Sequence, residues 1–296
     1  MKEILSRNED NSVNFIVKLE KNIKTKALLR QKIEQCFSGD ADIALFYYSG
    51  HGYIDDIGGY LVTPDYSKYD YGVSLQDIMT IANKSDCRNK IIILDSCYSG
   101  TMGSFPTTEQ KTAFISEGVT ILTSSRATEE SVEQNGHGLF TALLLEALSG
   151  CAADITGNIT PGSLYAYIDK ALSPWSQRPV FKTNTTRFVS LRNVEPLVDL
   201  EIIRNLKNYF CSEDMLFQLN PSFEPTNSPQ DKHEVIHPYA DEKNTKIFSE
   251  LQKLESVGIV TPVGENHMYY AAMKNKSCKL TSIGKQYWRL VNKGLI

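Results

Sequence analysis

Two stretches of the sequence share one design: "DIALFYYSGHG" (residues 42–52) and "KIIILDSCYSG" (residues 90–100). Each is an apolar run that ends in small residues and then presents one reactive side chain, His51 in the first and Cys97 in the second. Apolar runs without alternation are typical of strands buried on both faces of a parallel sheet. Because the carboxyl ends of neighbouring parallel strands meet at one edge, the sequence predicts His51 and Cys97 at a common cleft.

A thiol and an imidazole at one cleft are the groups that nucleophilic catalysis needs. A free thiol, with a pKa of about 8.5, is mostly protonated at neutral pH, so an adjacent imidazole is needed to activate it and later to protonate the leaving amine. Glycines on both sides of His51 allow a sharp turn, and we predict that Gly52 and Ser125 contact substrate. A phosphatase loop would need an arginine after five intervening residues, where the sequence has Gly103.

Strands and helices alternate through residues 1–193, which we predict to form one α/β domain with a mostly parallel sheet and helices on both faces. Further strands are predicted at Val13–Leu19, Gly118–Ser125 and Thr185–Leu191. Four helices are predicted: Lys24–Phe37, a short helix that Ser74 caps, residues 138–150 and residues 161–172. In the first of these, Ala27, Leu28, Ile33 and Phe37 are predicted to share one face.

The motifs "FYYSGHG" and "LDSCYSG", followed by "ILTSSRATEESVE" and "GHGLFTALLLEAL", resemble those of the caspase-like cysteine peptidases, most closely the metacaspases and their bacterial relatives. The resemblance covers about Val13 to Arg192. It implies that His51 is the general base and Cys97 the nucleophile. It also implies that Asp95 lines the pocket for the residue before the scissile bond, so that cleavage follows Arg or Lys. The alternative for Asp95 is a hydrogen-bonding turn acid.

Two features of the resemblance bear on the sheet and on metals. In the family a further apolar strand and helix precede the segment that matches Val13–Leu19, and this sequence shows no counterpart of that strand. Three explanations are open: the start is truncated, another chain supplies the strand, or the sheet closes without it. The tract beginning at Asp154 has Tyr165 where a calcium loop needs a bidentate Glu, so no metal or other cofactor is predicted. A second candidate base, His137, precedes a helix and is interpreted as a turn residue.

Residues 194–296 have a different character, and we predict a small α+β domain that resembles a winged helix-turn-helix module. A helix at Asp241–Val260 with Ile247, Leu251 and Leu254 on one face is followed by a predicted hairpin and a final helix. Six Lys or Arg and no acid lie between Asn266 and Ile296. A protein-interaction role is favoured over DNA binding, because Glu250 and Glu255 lie on the helix that would read DNA. The competing hypothesis is a DNA-binding regulator with an inactive caspase-like scaffold.

Composition narrows the location and the partners. The 296-residue chain has a formal net charge of −4, so it offers no overall polycationic face to nucleic acid or anionic lipid. No apolar run reaches the length of a membrane span, and a cytoplasmic protein acting on protein or peptide substrates is predicted. The six scattered cysteines predict reduced thiols rather than a disulfide framework.

Overall fold

A mixed β-sheet lies at the centre of the first of two compact units, Met1–Val194 and Glu195–Ile296. The computed structural model describes residues 1–96, 115–124, 133–134, 137–172, 178–230 and 235–296, with backbone only at 133, 134 and 137. The helices of the first unit are α1 (Lys2–Ser6), α2 (Lys26–Cys36), α3 (Leu75–Asn83), α4 (Leu139–Glu146) and α5 (Pro161–Ala171). Its strands are β1 (Ile43–Ser49), β2 (Gly52–Ile54), β3 (Gly59–Ser67), β4 (Asp70–Ser74), β5 (Asn89–Asp95), β6 (Val119–Thr123), β7 (Glu133–Gln134), β8 (His137–Gly138), β9 (Asn158–Ile159), β10 (Val180–Asn184) and β11 (Arg192–Asn193).

The central sheet has the strand order β1-β5-β6-β10. Strands β1, β5 and β6 are parallel, and β10 closes the sheet antiparallel to β6. The predicted mostly parallel sheet is therefore confirmed. One apolar cluster covers one face, beneath α2 and α3, and a second covers the other face, beneath α4 and α5. Burial on both faces explains why β1 and β5 read as continuous apolar runs rather than as alternating ones.

Two predicted strands are wrong. Residues 14–20 form no ladder, and Val13 makes only an isolated bridge to Arg7. A strand needs a neighbouring edge to pair with, and this segment instead leaves Ile16 91% exposed. The predicted strand Thr185–Leu191 is also wrong, because the preceding residues Val180–Asn184 take up the ladder with β6.

Local signals place the helices well but not always their buried faces. Thr25 caps α2, Ser74 caps α3 as predicted, and a capping box between Thr160 and Ser163 begins α5. The predicted apolar face of α2 is wrong in part: Leu29 and Ile33 are buried there, whereas Ala27 and Leu28 are exposed. Helix α4 continues into a π-helical turn at Ala147–Cys151, in which Gly150 adopts φ 134°.

The second unit places a small antiparallel sheet among helices. Its elements are α6 (Leu200–Arg204), α7 (Leu206–Tyr209), β12 (Leu216–Gln218), a 3₁₀ turn (Pro221–Phe223), α8 (Glu242–Ser256), β13 (Val260–Pro262), α9 (Met268–Met273), β14 (Ser277–Leu280) and α10 (Ser282–Asn292). The strand order is β12-β14-β13. The predicted hairpin thus carries α9 in its connection, and α8 buries Phe248 rather than Ile247 beside Leu251 and Leu254. No helix in the described part of either unit combines the length and apolarity of a membrane span.

Candidate active site

The ends of β1 and β5 form one edge of the sheet. Ser49 and Asp95 are register partners on these parallel strands, and the Gly50 amide donates to the Asp95 carbonyl over 3.2 Å. His51 follows Ser49 by two residues, as Cys97 follows Asp95 by two residues. The structure therefore brings the two strand ends together as the sequence predicts. Cys97 itself lies outside the described residues.

His51 occupies an exposed turn between β1 and β2 whose backbone is held in place. Its carbonyl accepts hydrogen bonds from the Val62 amide at 2.9 Å and from the Tyr48 hydroxyl at 3.3 Å. A Cβ at Gly50 would lie 2.6 Å from the Tyr48 hydroxyl oxygen, so a side chain there would displace this phenol. Burial raises the pKa of Tyr48 to about 12, so this phenol stays a neutral donor. The turn thus fixes the histidine backbone and leaves the imidazole accessible.

The two predicted substrate contacts have different outcomes. Gly52 begins β2 and pairs with Leu61 of β3, directly after His51. It therefore lies beside the candidate base, on a strand that leads away from the sheet edge. Ser125 lies outside the described residues, although Ser124 before it is buried at the end of β6.

Asp95 is a buried carboxylate rather than a surface one, with 7% of the residue exposed. The Thr141 hydroxyl, in the first turn of α4, donates to Oδ2 of Asp95. Burial raises the pKa of Asp95 above its usual value, and hydrogen bonds from Thr141 and Ser124 oppose that rise. Among the described residues no Lys, Arg or His forms an ion pair with Asp95. The Asp95 carboxylate is therefore hydrogen-bonded by neutral donors.

Sequence reasoning missed the surroundings of that carboxylate. Tyr47 on β1 lies 2.6 Å from the Thr141 hydroxyl oxygen, and Gly138 before α4 approaches Asp95 so closely that a Cβ would lie 2.8 Å from Oδ2. Thr141 and Gly138 belong to the "GHGLFTALLLEAL" stretch, which contributes to the family resemblance but in which only His137 was considered as a site residue. A hydroxyl inside an otherwise apolar first turn was the available signal, because such a residue usually has a specific hydrogen-bond partner.

The cysteines that the structure describes, which do not include Cys97, are free thiols. Burial raises the pKa of Cys36 to about 11 and that of Cys278 to about 12. These two thiols therefore remain protonated at neutral pH, which disfavours them as nucleophiles.

A cavity of about 910 Å³ lies at the opposite edge of the sheet. It is lined at the amino ends of β1, β5 and β6 by Ile43, Asn89 and Gly118. It is therefore separated from His51 by the length of the strands and is not part of the candidate site.

The family model described as Caspase domain (Peptidase_C14) matches residues 9–189, more than half of the chain. The chain belongs to the caspase-domain family. A caspase domain implies a cysteine-peptidase type of function and protein substrates.

Two solved structures resemble this caspase-domain protein. Caspase-1 from Spodoptera frugiperda aligns with 17% identity and a TM-score of 0.43, over 62% of this chain and 76% of that one. A protein from Geobacter sulfurreducens aligns with 17% identity and a TM-score of 0.39, over 58% of this chain and 80% of that one. The search of curated proteins finds no match.

Proposed function

We propose that this caspase-domain protein is a cysteine endopeptidase in which His51 and Cys97 form a catalytic dyad. The supporting observation is the pairing of Ser49 with Asp95, because β1 and β5 then end at the same position along the sheet edge. Parallel neighbours lie about 4.8 Å apart, so residues two positions beyond such a rung are within reach of one substrate. The exposure of His51 agrees with a group that must exchange protons with a substrate.

In the proposed reaction His51 removes the proton from the Cys97 thiol, and the thiolate attacks the carbonyl carbon of the scissile amide. The C–N bond then breaks, and His51 returns the proton to the departing amine. A water molecule, deprotonated by His51, hydrolyses the resulting thioester and releases the acid product and the thiol. The step needs no metal or other cofactor.

We further propose that Asp95 selects Arg or Lys before the scissile bond. A buried carboxylate with neutral donors alone is costly to keep ionised, and a cationic side chain would supply the missing counter-charge. A long side chain would be needed to reach this carboxylate, because Asp95 is buried at the end of β5. This role differs from that of a turn acid, which would need no cation.

A fluorogenic peptide panel with Arg, Lys, Asp and Leu before the scissile bond tests both statements. Wild-type protein is expected to cleave after Arg and Lys, and Cys97→Ala is expected to remove all cleavage. Removing one partner of a buried charge pair costs about 2–5 kcal/mol, so Asp95→Asn should lower kcat/KM for Arg substrates roughly 30-fold or more. Efficient cleavage after Asp with none after Arg would overturn the specificity, and full activity of Cys97→Ala would overturn the mechanism.

For the second unit we propose a winged-helix-like module that docks a protein partner. The winged-helix assignment is supported by the order of the elements along the chain, which is α7, β12, α8, β13, β14 and α10, with α9 inserted before β14. Tyr269 and Tyr270 on α9 are exposed aromatic residues of the kind that anchor protein interfaces. Three of the six basic residues between Asn266 and Ile296 already form ion pairs: Lys274 with Glu265, Lys285 with Asp214, and Arg289 with Glu213.

A DNA-binding role remains the second candidate because of the outward face of α8. Lys243, Lys246 and Lys253 are exposed there and form no ion pair within the described residues, while Glu250 turns inward to accept a hydrogen bond from Tyr209.

Fluorescence anisotropy of duplex DNA with the full-length Cys97→Ala protein separates the two roles. The docking role expects only weak binding, with a Kd of about 10⁻⁴–10⁻⁶ M or weaker at physiological salt. Nanomolar, sequence-selective binding lost in Lys246→Glu would establish the DNA-binding role instead.

A further inference from the structure

The Thr141 hydroxyl joins the two strands that carry the candidate dyad. It donates to Oδ2 of Asp95 on β5 and lies 2.6 Å from the hydroxyl oxygen of Tyr47 on β1. A hydroxyl group has one proton, and an ionised carboxylate can only accept. The Thr141 hydroxyl therefore donates its proton to Asp95, and the Tyr47 hydroxyl donates to the Thr141 oxygen. The result is a directed chain from Tyr47 through Thr141 to Asp95.

Thr141 is the donor on which the carboxylate depends most. Ser124, the other hydroxyl that bonds Asp95, also lies within hydrogen-bond distance of the Ser96 carbonyl at 3.2 Å, so its one proton is shared between two acceptors. Among the residues that the structure describes, the Thr141 hydroxyl has no such second acceptor, and the Thr141 backbone amide also bonds Asp95. Thr141 therefore contributes two of the donors that hold the carboxylate.

The carboxylate has little room to adopt another orientation. Gly138 closes the side next to α4, since even a Cβ there would lie 2.8 Å from Oδ2 and 3.4 Å from Oδ1 of Asp95. Asp95 and Ser124 are both buried, at 7% and 1% exposure. A rotation of the carboxylate would therefore break the Thr141 bonds without gaining water as a substitute.

We propose that Thr141 is a positioning and specificity-determining residue, which holds the Asp95 carboxylate oriented and ionised so that it can bind a basic side chain of the substrate. This inference rests on the proposed function of Asp95. Thr141 touches neither the reacting atoms nor the substrate, so its effect is on the binding of basic substrates and not on bond cleavage.

The test compares Thr141→Val, which removes the hydroxyl at nearly constant shape, with Thr141→Ser, which keeps it. Thr141→Val is expected to raise KM for Arg and Lys substrates about tenfold or more, with kcat little changed. Thr141→Ser is expected to stay near wild type. Thr80→Val is the matched control and should change neither parameter, because within the described part of the chain this exposed α3 hydroxyl bonds only the Gln76 carbonyl.

A second measurement does not depend on peptidase activity. In a ¹³C NMR titration of the Asp95 carboxyl, loss of a donor to its ionised form should raise its pKa further in Thr141→Val but not in Thr141→Ser. Tyr47 is the titratable described side chain that faces this carboxylate, from β1, and it stays neutral because burial raises its own pKa. If the wild-type protein cleaved no peptide but the Asp95 pKa rose in Thr141→Val and not in Thr141→Ser, the proposed function would be rejected. The positioning role of Thr141 would then still stand.

Three results would overturn the inference. Thr141→Val could bind basic substrates as well as wild type, or Thr141→Ser could be as impaired as Thr141→Val, which would show a packing role only. Thr141→Val could also fail to fold while Thr141→Ser folds, which would show that the hydroxyl serves stability and not specificity.

Discussion

The ends of β1 and β5 share one ladder, yet they surround their functional side chains in opposite ways. After β1 the chain turns out through Gly50 and leaves His51 exposed, with only its backbone fixed. At the end of β5, Asp95 stays buried among hydroxyl donors from α4 and from the end of β6. The proposed base, His51, would need access to substrate and water, whereas the proposed selectivity of the Asp95 carboxylate would be stronger where water is excluded. One sheet edge thus supplies both environments.

Loss of the His51 imidazole should give the largest effect on activity and almost none on folding. His51→Ala keeps the carbonyl that Val62 and Tyr48 bond, so unfolding free energy should change by no more than about 0.5 kcal/mol. Without the general base, kcat/KM should fall by about 10²–10⁴-fold. Steady-state kinetics and urea unfolding measure the two quantities. His267→Ala, an exposed histidine of the second unit, is the control, and retained activity in His51→Ala would remove the proposed base.

Gly138→Ala should reveal how tightly the β5 end is packed. The added Cβ would lie 2.8 Å from Oδ2 of Asp95 and would force the buried carboxylate or the start of α4 to move. Such overpacking costs about 1–3 kcal/mol, measurable as a lower urea midpoint, and should also weaken cleavage after Arg. Gly58→Ala is the matched control, because nothing lies within 4 Å of its Cβ position. Equal stability of the two variants would contradict a closed environment around Asp95.

Tyr48→Phe should give the smallest effect. The Tyr48 hydroxyl makes two long bonds, to the His51 and Val62 carbonyls, both at 3.3 Å. Its loss should cost about 1 kcal/mol or less of unfolding free energy and reduce kcat a few-fold, since the main anchor of the His51 turn is the Val62 amide. Tyr66→Phe, at an exposed tyrosine, should be neutral. A loss of activity as large as that of His51→Ala would mean that the turn depends on this phenol.

Much of the first unit could be predicted from the sequence because its signals are local. Apolar runs without alternation predicted β1 and β5 as parallel strands, and Ser74 predicted the start of α3. The prediction was wrong where a strand depends on its partner: Val13–Leu19 has strand-like composition but makes no ladder. Strand Val180–Asn184, not Thr185–Leu191, pairs with β6 for the same reason. Strand propensity describes a residue type, whereas pairing is decided by which edge is available.

The sequence by itself determined which side chains follow the two central strands, because an apolar run and the residue that ends it are adjacent in the chain. Tertiary structure alone decided that Ser49 and Asp95 pair on neighbouring parallel strands, and that Thr141, 46 positions after Asp95, supplies the proton that holds its carboxylate. It also decided that acids such as Asp214 and Glu213 neutralise cations more than 70 positions away. These contacts join residues far apart in the chain, and no local pattern encodes them, because burial and hydrogen bonding act on distance in space rather than on separation in sequence.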